Sequence, residues 1–150
     1  FKETQQHVSR RHLELAEELN IPVIVHDRES HADVLEILKE FPEVKGVMHC
    51  FSGSAEFALE CVKLGYYIAL GGPITFKNAV KPKEVAKEVP IEKLLLETDS
   101  PFLAPHPFRG KDNDPSKIIL VAETIAEIKG LSVEEVANIT SQNAERLFGL

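Results

Sequence analysis

Hydrophobic residues are distributed along the chain in two alternating patterns, one typical of helices and one typical of buried strands. Residues 2–20 place apolar side chains on one helical face and charged side chains on the other, which predicts an amphipathic helix. The β-branched run IPVIVH at 21–26 then predicts a strand, with its proline near the start, where a strand tolerates one. Three further apolar runs predict strands at 44–49, 66–70 and 94–98.

Helical segments separate these strands and follow the last one. Apolar spacing and capping residues predict helices at about 32–41, from Ser54 to Gly65, around Val85, and from Asp114 to Gly130. A capping box of Ser132 and Glu135 predicts the start of a final helix. The segment 101–115 contains four prolines and is predicted to be a long loop, and long loops in small domains often carry function.

The predicted order of one helix, four strand-helix units and a final helix places the chain in the α/β class. Continuously apolar strands that alternate with helices are typical of a parallel sheet with helices on its faces. Such a sheet is either open and doubly wound or part of a (β/α) barrel of the TIM type, and both architectures bind ligands at the carboxyl ends of the strands. With 150 residues, the chain forms a single unit well below the roughly 250 residues of a complete eight-stranded barrel.

Composition and charge narrow the classes of partner and compartment. The 17 basic and 24 acidic side chains give a formal net charge of −7, which predicts no broad basic face for nucleic acid, so an anionic substrate has to be bound locally. No apolar run is long enough to cross a bilayer, and no segment resembles a secretory signal. Two cysteines in apolar segments indicate reduced thiols and a cytoplasmic location.

Polar residues with metal-ligand chemistry follow three of the four predicted strands. The first strand ends in His26, the second ends in His49, and Asp99 follows the fourth. Because parallel strands bring their carboxyl ends to one edge, we expect these side chains to lie close together. Imidazole and carboxylate groups suit a divalent ion that keeps coordination positions for water and substrate. Each residue alone also has a structural interpretation, as a hydrogen-bonded histidine or as an aspartate that caps a turn.

Other polar residues near this edge receive separate interpretations. Arg28, Arg109 and Lys111 are expected near the strand ends, where they could position a phosphate through charge-assisted hydrogen bonds. Taken singly, the same residues are ordinary surface charges. Cys50 follows a predicted ligand along a strand, so its side chain is expected to face the opposite side and to belong to the core.

Four segments of the chain resemble signatures of the TatD family of metal-dependent deoxyribonucleases, and the chain end resembles the usual ending of that family. They are PVIVHDR at 22–28, HCFSG at 49–53, LLETDSP at 95–101, RGK at 109–111, and the ending with Asn143, Leu147 and Phe148. The resemblance implies a TIM-barrel hydrolase of the amidohydrolase type that cleaves DNA with divalent metal (Mg, Mn or Zn), one or two ions per complete site. Carried over by motif, His26, His49 and Asp99 correspond to metal ligands. Asp99 would also orient the attacking water and accept its proton, and Arg28 and Arg109 would hold a phosphate.

The resemblance also sets the expected extent of the site. Family members begin with a His-x-His strand and later supply a bridging glutamate, and neither motif occurs in these 150 residues. We therefore interpret residues 1–150 as the C-terminal half of a TatD-like barrel, whose activity is complete only with the other half. A half-barrel exposes two strand edges, which predicts a homodimer formed through those edges. Asp112 stands where the family usually has a basic residue, so the contacts of this loop with substrate are expected to differ from those typical of the family.

Two alternative functions are compatible with these patterns. The chain could be a non-catalytic half-barrel that binds metal weakly or serves as an assembly unit, because the first half of the expected site is absent. It could also belong to a metallohydrolase of small phosphoesters or amides, because the acidic charge balance offers no DNA-binding face.

Overall fold

The order of helices and strands in the computed structural model, which describes residues 1–150, matches the predicted order. The strands are β1 (Val23–His26), β2 (Gly46–His49), β3 (Tyr66–Leu70) and β4 (Leu94–Leu96). The helices are α1 (Lys2–Leu19), α2 (His31–Lys39), α3 (Ala55–Lys63), α4 (Lys81–Glu88), α5 (Ile118–Lys129) and α6 (Val133–Phe148). Only β3 has the predicted bounds; the other strands are shorter, because their flanking residues lie outside the paired register.

The four strands form one parallel sheet in the order β1-β2-β3-β4. Each strand pairs with the next one along the chain, and a helix separates consecutive strands in the sequence. In a doubly wound sheet the strand order reverses at a switch point, whereas a (β/α) barrel adds each new strand on the same side. The uninterrupted order therefore favours the barrel-type architecture over the open one.

The two faces of the sheet contact different surroundings. A main core of 21 buried residues, which includes Met48, lies between one face and the helices. A second core of four buried residues lies on the opposite face, and Ala144 and Leu147 of α6 pack against it. We call this opposite face the inner face, and its buried residues are Val47, Tyr67, Ala69 and Leu95. Because side chains alternate along a strand, His49 and Glu97 lie on the inner face.

Two helices begin at the capping residues that the sequence predicts. Ser54 accepts a hydrogen bond from the Phe57 backbone N–H at the start of α3, which makes it an N-cap. Ser132 and Glu135 form the predicted capping box at the start of α6. None of the helices combines the length and the apolar character that a membrane crossing requires.

Strands β1 and β4 form the two edges of the sheet. At the β1 edge, Ile24 is 64% exposed, although its register partner Val47 on β2 is buried. An apolar groove between α1 and β1 continues this exposed surface and includes Leu15. An edge of this kind can accept a further strand.

Candidate functional site

His26 and His49 lie side by side at the carboxyl edge of the sheet. They are the last residues of β1 and β2, and they pair with each other in the parallel register. Their ring centroids are 5.6 Å apart, with an interplanar angle of 42°. The register of the sheet therefore brings these two imidazoles together, although a complete helix separates them in the sequence.

Glu97, to which the sequence pattern assigns no role, makes the shorter of the two polar contacts to His49. Its Oε2 atom lies 2.7 Å from His49 Nδ1 and accepts a 3.0 Å hydrogen bond from the Cys50 backbone N–H. Its Oε1 atom is buried without a hydrogen-bond partner. A signal for Glu97 does exist in the sequence, because it lies two positions after Leu95 and so shares the inner face with His49.

Gly71 provides the space through which Glu97 reaches His49. Strand β3 lies between β2 and β4, so a side chain that follows β4 has to cross β3 to contact β2. Gly71 directly follows β3. A Cβ atom at this position would lie 3.2 Å from the carbonyl oxygen of Glu97 and 3.3 Å from the Cγ atom of Glu97. A side chain at position 71 would therefore compete with Glu97 for the same space.

Asp99 faces the other ring nitrogen of His49. It lies in the loop after β4 with a left-handed φ of 56°, and its Oδ1 atom is 3.2 Å from His49 Nε2. Both imidazole nitrogens thus contact carboxylate oxygens, Nδ1 with Glu97 and Nε2 with Asp99. A left-handed backbone at a residue other than glycine is uncommon and persists only where the surrounding structure holds it.

Asn113 holds the loop that carries Asp99. It is 6% exposed, and its Nδ2 donates hydrogen bonds of 2.7 Å to the Thr98 carbonyl oxygen and 2.8 Å to the Phe102 carbonyl oxygen. Its backbone N–H donates to the Pro101 carbonyl oxygen at 3.0 Å. One buried side chain therefore fixes the backbone on both sides of Asp99. No motif identifies Asn113 in the sequence, since the residues that it binds lie more than ten positions away.

The three predicted substrate-binding cations lie on the surface. Arg28, Arg109 and Lys111 are exposed, and none of them takes part in an ion pair within the chain. The Arg109 guanidinium lies over the Phe76 ring, with 3.9 Å between its central carbon and the ring centroid. The structure thus places His26 and Asp99 each beside His49. The roles of these three residues as metal ligands and of the three cations as phosphate contacts stay predictions.

Cys50 does not lie in the core as the strand alternation predicts. It has a left-handed φ of 49°, so the alternation of β2 ends at His49, and its side chain is half-buried near the carboxylates. Burial raises the pKa of the Cys50 thiol to about 11, and the charges of Glu97 and Asp99 act in the same direction. The thiol is therefore protonated and weakly nucleophilic at neutral pH.

The donors at this edge have the chemistry of a divalent-metal site without forming a complete one. No group of three or more His, Cys, Asp or Glu side chains in residues 1–150 is arranged so that it could hold an ion. His49 instead contacts two carboxylates directly. The donor types do fit a divalent ion, since they comprise two imidazoles, the Asp99 carboxylate, and a Glu97 carboxylate with one buried oxygen that lacks a partner.

Similarity to known proteins extends over almost the whole chain. The model of the family described as TatD related DNase matches residues 1–149. The chain belongs to the TatD family. This TatD-family chain is 56% identical to the metal-dependent hydrolase YabD of Bacillus subtilis and 46% identical to the metal-dependent hydrolase YcfH of Escherichia coli, in both cases over 98% of its length. It spans 58% of YabD and 56% of YcfH, a little more than half of each relative.

The fold agrees with that of a solved TatD homologue. Superposition on the crystal structure of YJJV from Escherichia coli gives a TM-score of 0.91 at 35% sequence identity. The match covers 99% of this TatD-family chain and 57% of YJJV. The prediction of an α/β fold of the TIM-barrel type, with four parallel strands and covering helices, is therefore confirmed.

Proposed function

We propose that this chain supplies the C-terminal half of a TatD-type barrel that hydrolyses DNA phosphodiester bonds with divalent metal. The observation that carries the proposal is the position of His49 at the carboxyl edge, with His26 beside it and a carboxylate at each ring nitrogen. This edge is where barrels of this type bind ligands and carry out their chemistry. The names of YabD and YcfH support a metal-dependent hydrolase, and the family description supports DNA as the substrate.

His26, His49 and Asp99 are the proposed metal ligands, for Mg, Mn or Zn, with one or two ions per complete site. The remaining ligands would come from barrel strands outside these 150 residues. A divalent ion bound there would lower the pKa of a coordinated water towards about 7 and would polarise a phosphoryl oxygen. Glu97 positions His49, because its contact with Nδ1 fixes the tautomer and directs Nε2 towards Asp99, where the ion would bind.

The other proposed roles concern protons and phosphates. Asp99 orients the attacking water and accepts its proton, and its carboxylate is exposed enough, at 32%, to be reached by water. Arg28, Arg109 and Lys111 bind phosphate through charge-assisted hydrogen bonds. Because the chain carries a net charge of −7, these local cations have to offset the repulsion between the protein and a polyanion.

Hydrolysis of a single-stranded oligodeoxynucleotide by the complete gene product, at saturating manganese or magnesium, tests this proposal. Asp99→Asn and His49→Ala should each lower kcat/KM by about 100-fold or more. Glu123→Gln, which changes an exposed carboxylate on α5, should leave kcat/KM nearly unchanged. Full activity in both site variants would refute the assignment. Turnover of bis-p-nitrophenyl phosphate or of an amide, without turnover of DNA, would favour the alternative substrate class.

Compartment and assembly are further parts of the proposal. The free cysteines Cys50 and Cys61 suit a reducing compartment, so we assign the protein to the cytoplasm. The β1 edge and the exposed Ile24 support a homodimer when residues 1–150 are expressed alone, and further strands would cover the same edge in a complete barrel. Because the ligand set within residues 1–150 is incomplete, we expect activity only when the rest of the barrel is present.

A further inference from the structure

We propose that Phe76 is a positioning residue that holds Arg109 ready to contact a phosphate group. The inference rests on the proposed function, which assigns phosphate binding to Arg109, and it adds a residue of a different loop to that contact. Phe76 lies between β3 and α4, and Arg109 lies in the loop after β4. The central carbon of the guanidinium is 3.9 Å from the centroid of the half-buried Phe76 ring. This distance is within the range of a cation–π contact.

The Phe76 ring orients Arg109 without cancelling its charge. Arg109 forms no ion pair within the chain, whereas the guanidinium of Arg10 is bound by both carboxylate oxygens of Glu40. A carboxylate would also fix the guanidinium of Arg109, but its negative charge would repel a phosphate. An aromatic ring attracts a cation through its quadrupole and carries no net charge. Arg109 therefore keeps its full positive charge for an anionic ligand.

A hydrogen bond beside this contact joins the same two loops. The Thr75 Oγ1 atom accepts a 2.8 Å hydrogen bond from the His106 backbone N–H. The same hydroxyl donates a 2.7 Å hydrogen bond to the Gly72 carbonyl oxygen, so its orientation is fixed from both sides. Thr75 directly precedes Phe76, and His106 lies three positions before Arg109. The backbone contact between the two loops therefore holds the ring and the guanidinium in register with each other.

The other two proposed phosphate contacts lack such support. Arg28 and Lys111 are exposed, and neither of them lies over an aromatic ring. A long cationic side chain loses rotational freedom when it binds a ligand, and this loss opposes binding. Because the contact with Phe76 already restricts the side chain of Arg109, the entropic cost of phosphate binding is smaller for Arg109 than for the other two cations.

Equilibrium binding by the complete gene product tests the proposal. The probe is a fluorescein-labelled oligodeoxynucleotide, and its dissociation constant is measured by fluorescence anisotropy in EDTA, which prevents cleavage. Phe76→Leu, which removes the aromatic face but keeps an apolar side chain, should weaken binding about three- to five-fold. Phe76→Trp retains an aromatic face and should bind as the wild type does. Phe41→Leu is the matched control, because Phe41 is also half-buried but precedes β2 at the opposite edge of the sheet, and it should leave the dissociation constant unchanged.

A double-mutant cycle separates positioning from a structural role. Arg109→Gln should weaken binding roughly ten-fold, and the addition of Phe76→Leu to it should cause no further loss, because no guanidinium is left to position. Equal weakening by Phe76→Leu in both backgrounds would overturn the proposal, since the ring would then act independently of Arg109. A single variant with wild-type affinity, or a wild-type protein that does not bind the probe, would overturn it as well. Because binding is measured without metal, failure of the proposed hydrolysis would appear separately, as absent turnover in manganese with the coupling between positions 76 and 109 intact.

Discussion

The Nδ1 atom of His49 lies 2.7 Å from Oε2 of Glu97, a contact that crosses β3 and joins the second strand of the sheet to the residue after the fourth. The same carboxylate oxygen accepts a hydrogen bond from the Cys50 backbone N–H, so it is held at two points. The Nε2 atom of His49 faces Asp99. In the proposed metal site, Nδ1 would position the ring and Nε2 would bind the ion.

Glu97→Gln should weaken manganese binding by about 10–100-fold, because a neutral amide orients His49 less strongly than a carboxylate does. Isothermal titration of the complete gene product with manganese measures the change. Glu92→Gln, which alters an exposed glutamate before β4, is the matched control and should bind manganese as the wild type does. Wild-type affinity in Glu97→Gln would contradict the positioning role.

Gly71→Ala should weaken manganese binding while it costs only about 1 kcal/mol of unfolding free energy. The new Cβ would lie 3.2 Å from the Glu97 carbonyl oxygen, and a small shift that relieves this contact also moves the carboxylate away from His49. At the adjacent Gly72, a Cβ would lie 1.9 Å from the Leu103 carbonyl oxygen, so Gly72→Ala should lose about 3 kcal/mol. Urea unfolding and metal titration measure both effects, and the opposite order of stability would contradict this account.

Asn113→Ala should lower the unfolding free energy by about 2–4 kcal/mol, because it removes three side-chain hydrogen bonds, one of them accepted from the Asp114 backbone N–H, and leaves carbonyl groups without partners. The affected carbonyl groups belong to Thr98 and Phe102, on either side of Asp99. Urea unfolding measures the loss. Asn78→Ala, at an exposed turn position, should change the unfolding free energy by less than about 0.5 kcal/mol. Equal stability of the two variants would show that the loop does not depend on Asn113.

Tyr66→Phe should raise the unfolding free energy by about 1 kcal/mol, because the Tyr66 hydroxyl is buried without a hydrogen-bond partner. Burial raises the pKa of this phenol to about 12, above its ordinary value near 10. The fold therefore favours the neutral phenol, and wild-type stability should fall as pH rises from about 10 towards 12. Urea unfolding at pH 8 and at pH 11 should show a smaller alkaline loss in Tyr66→Phe. A larger loss in the variant would contradict the assignment to Tyr66.

Residues 1–150 expressed alone should sediment as a dimer at micromolar concentration. Ile24→Lys places a charge on the exposed β1 edge and should shift the protein to the monomer. Val80→Lys changes a residue of similar exposure, 66%, near the start of α4, and it should leave the dimer intact. A monomeric wild-type chain would refute the homodimer.

Much of the fold and the expected edge position of the three proposed ligands, His26, His49 and Asp99, follow from local sequence properties. Strands and helices were predictable because side-chain periodicity and capping signals depend on neighbouring residues, and His26 and His49 could be assigned to one edge because parallel strands end together. The position of Cys50 was not predictable, since it depends on a left-handed backbone that ends the strand alternation.

The sequence by itself determined the α/β order, the parallel strands and the residue types at the carboxyl edge, because each of these depends only on residues that are close together in the chain. Only the tertiary structure decided that Glu97 engages His49 and that Asn113 fixes the loop around Asp99. The first contact depends on strand order and on the absent side chain at Gly71, and the second joins residues 15 positions apart. Both contacts depend on distances between segments of the chain. The periodicity of a single segment carries no information about those distances.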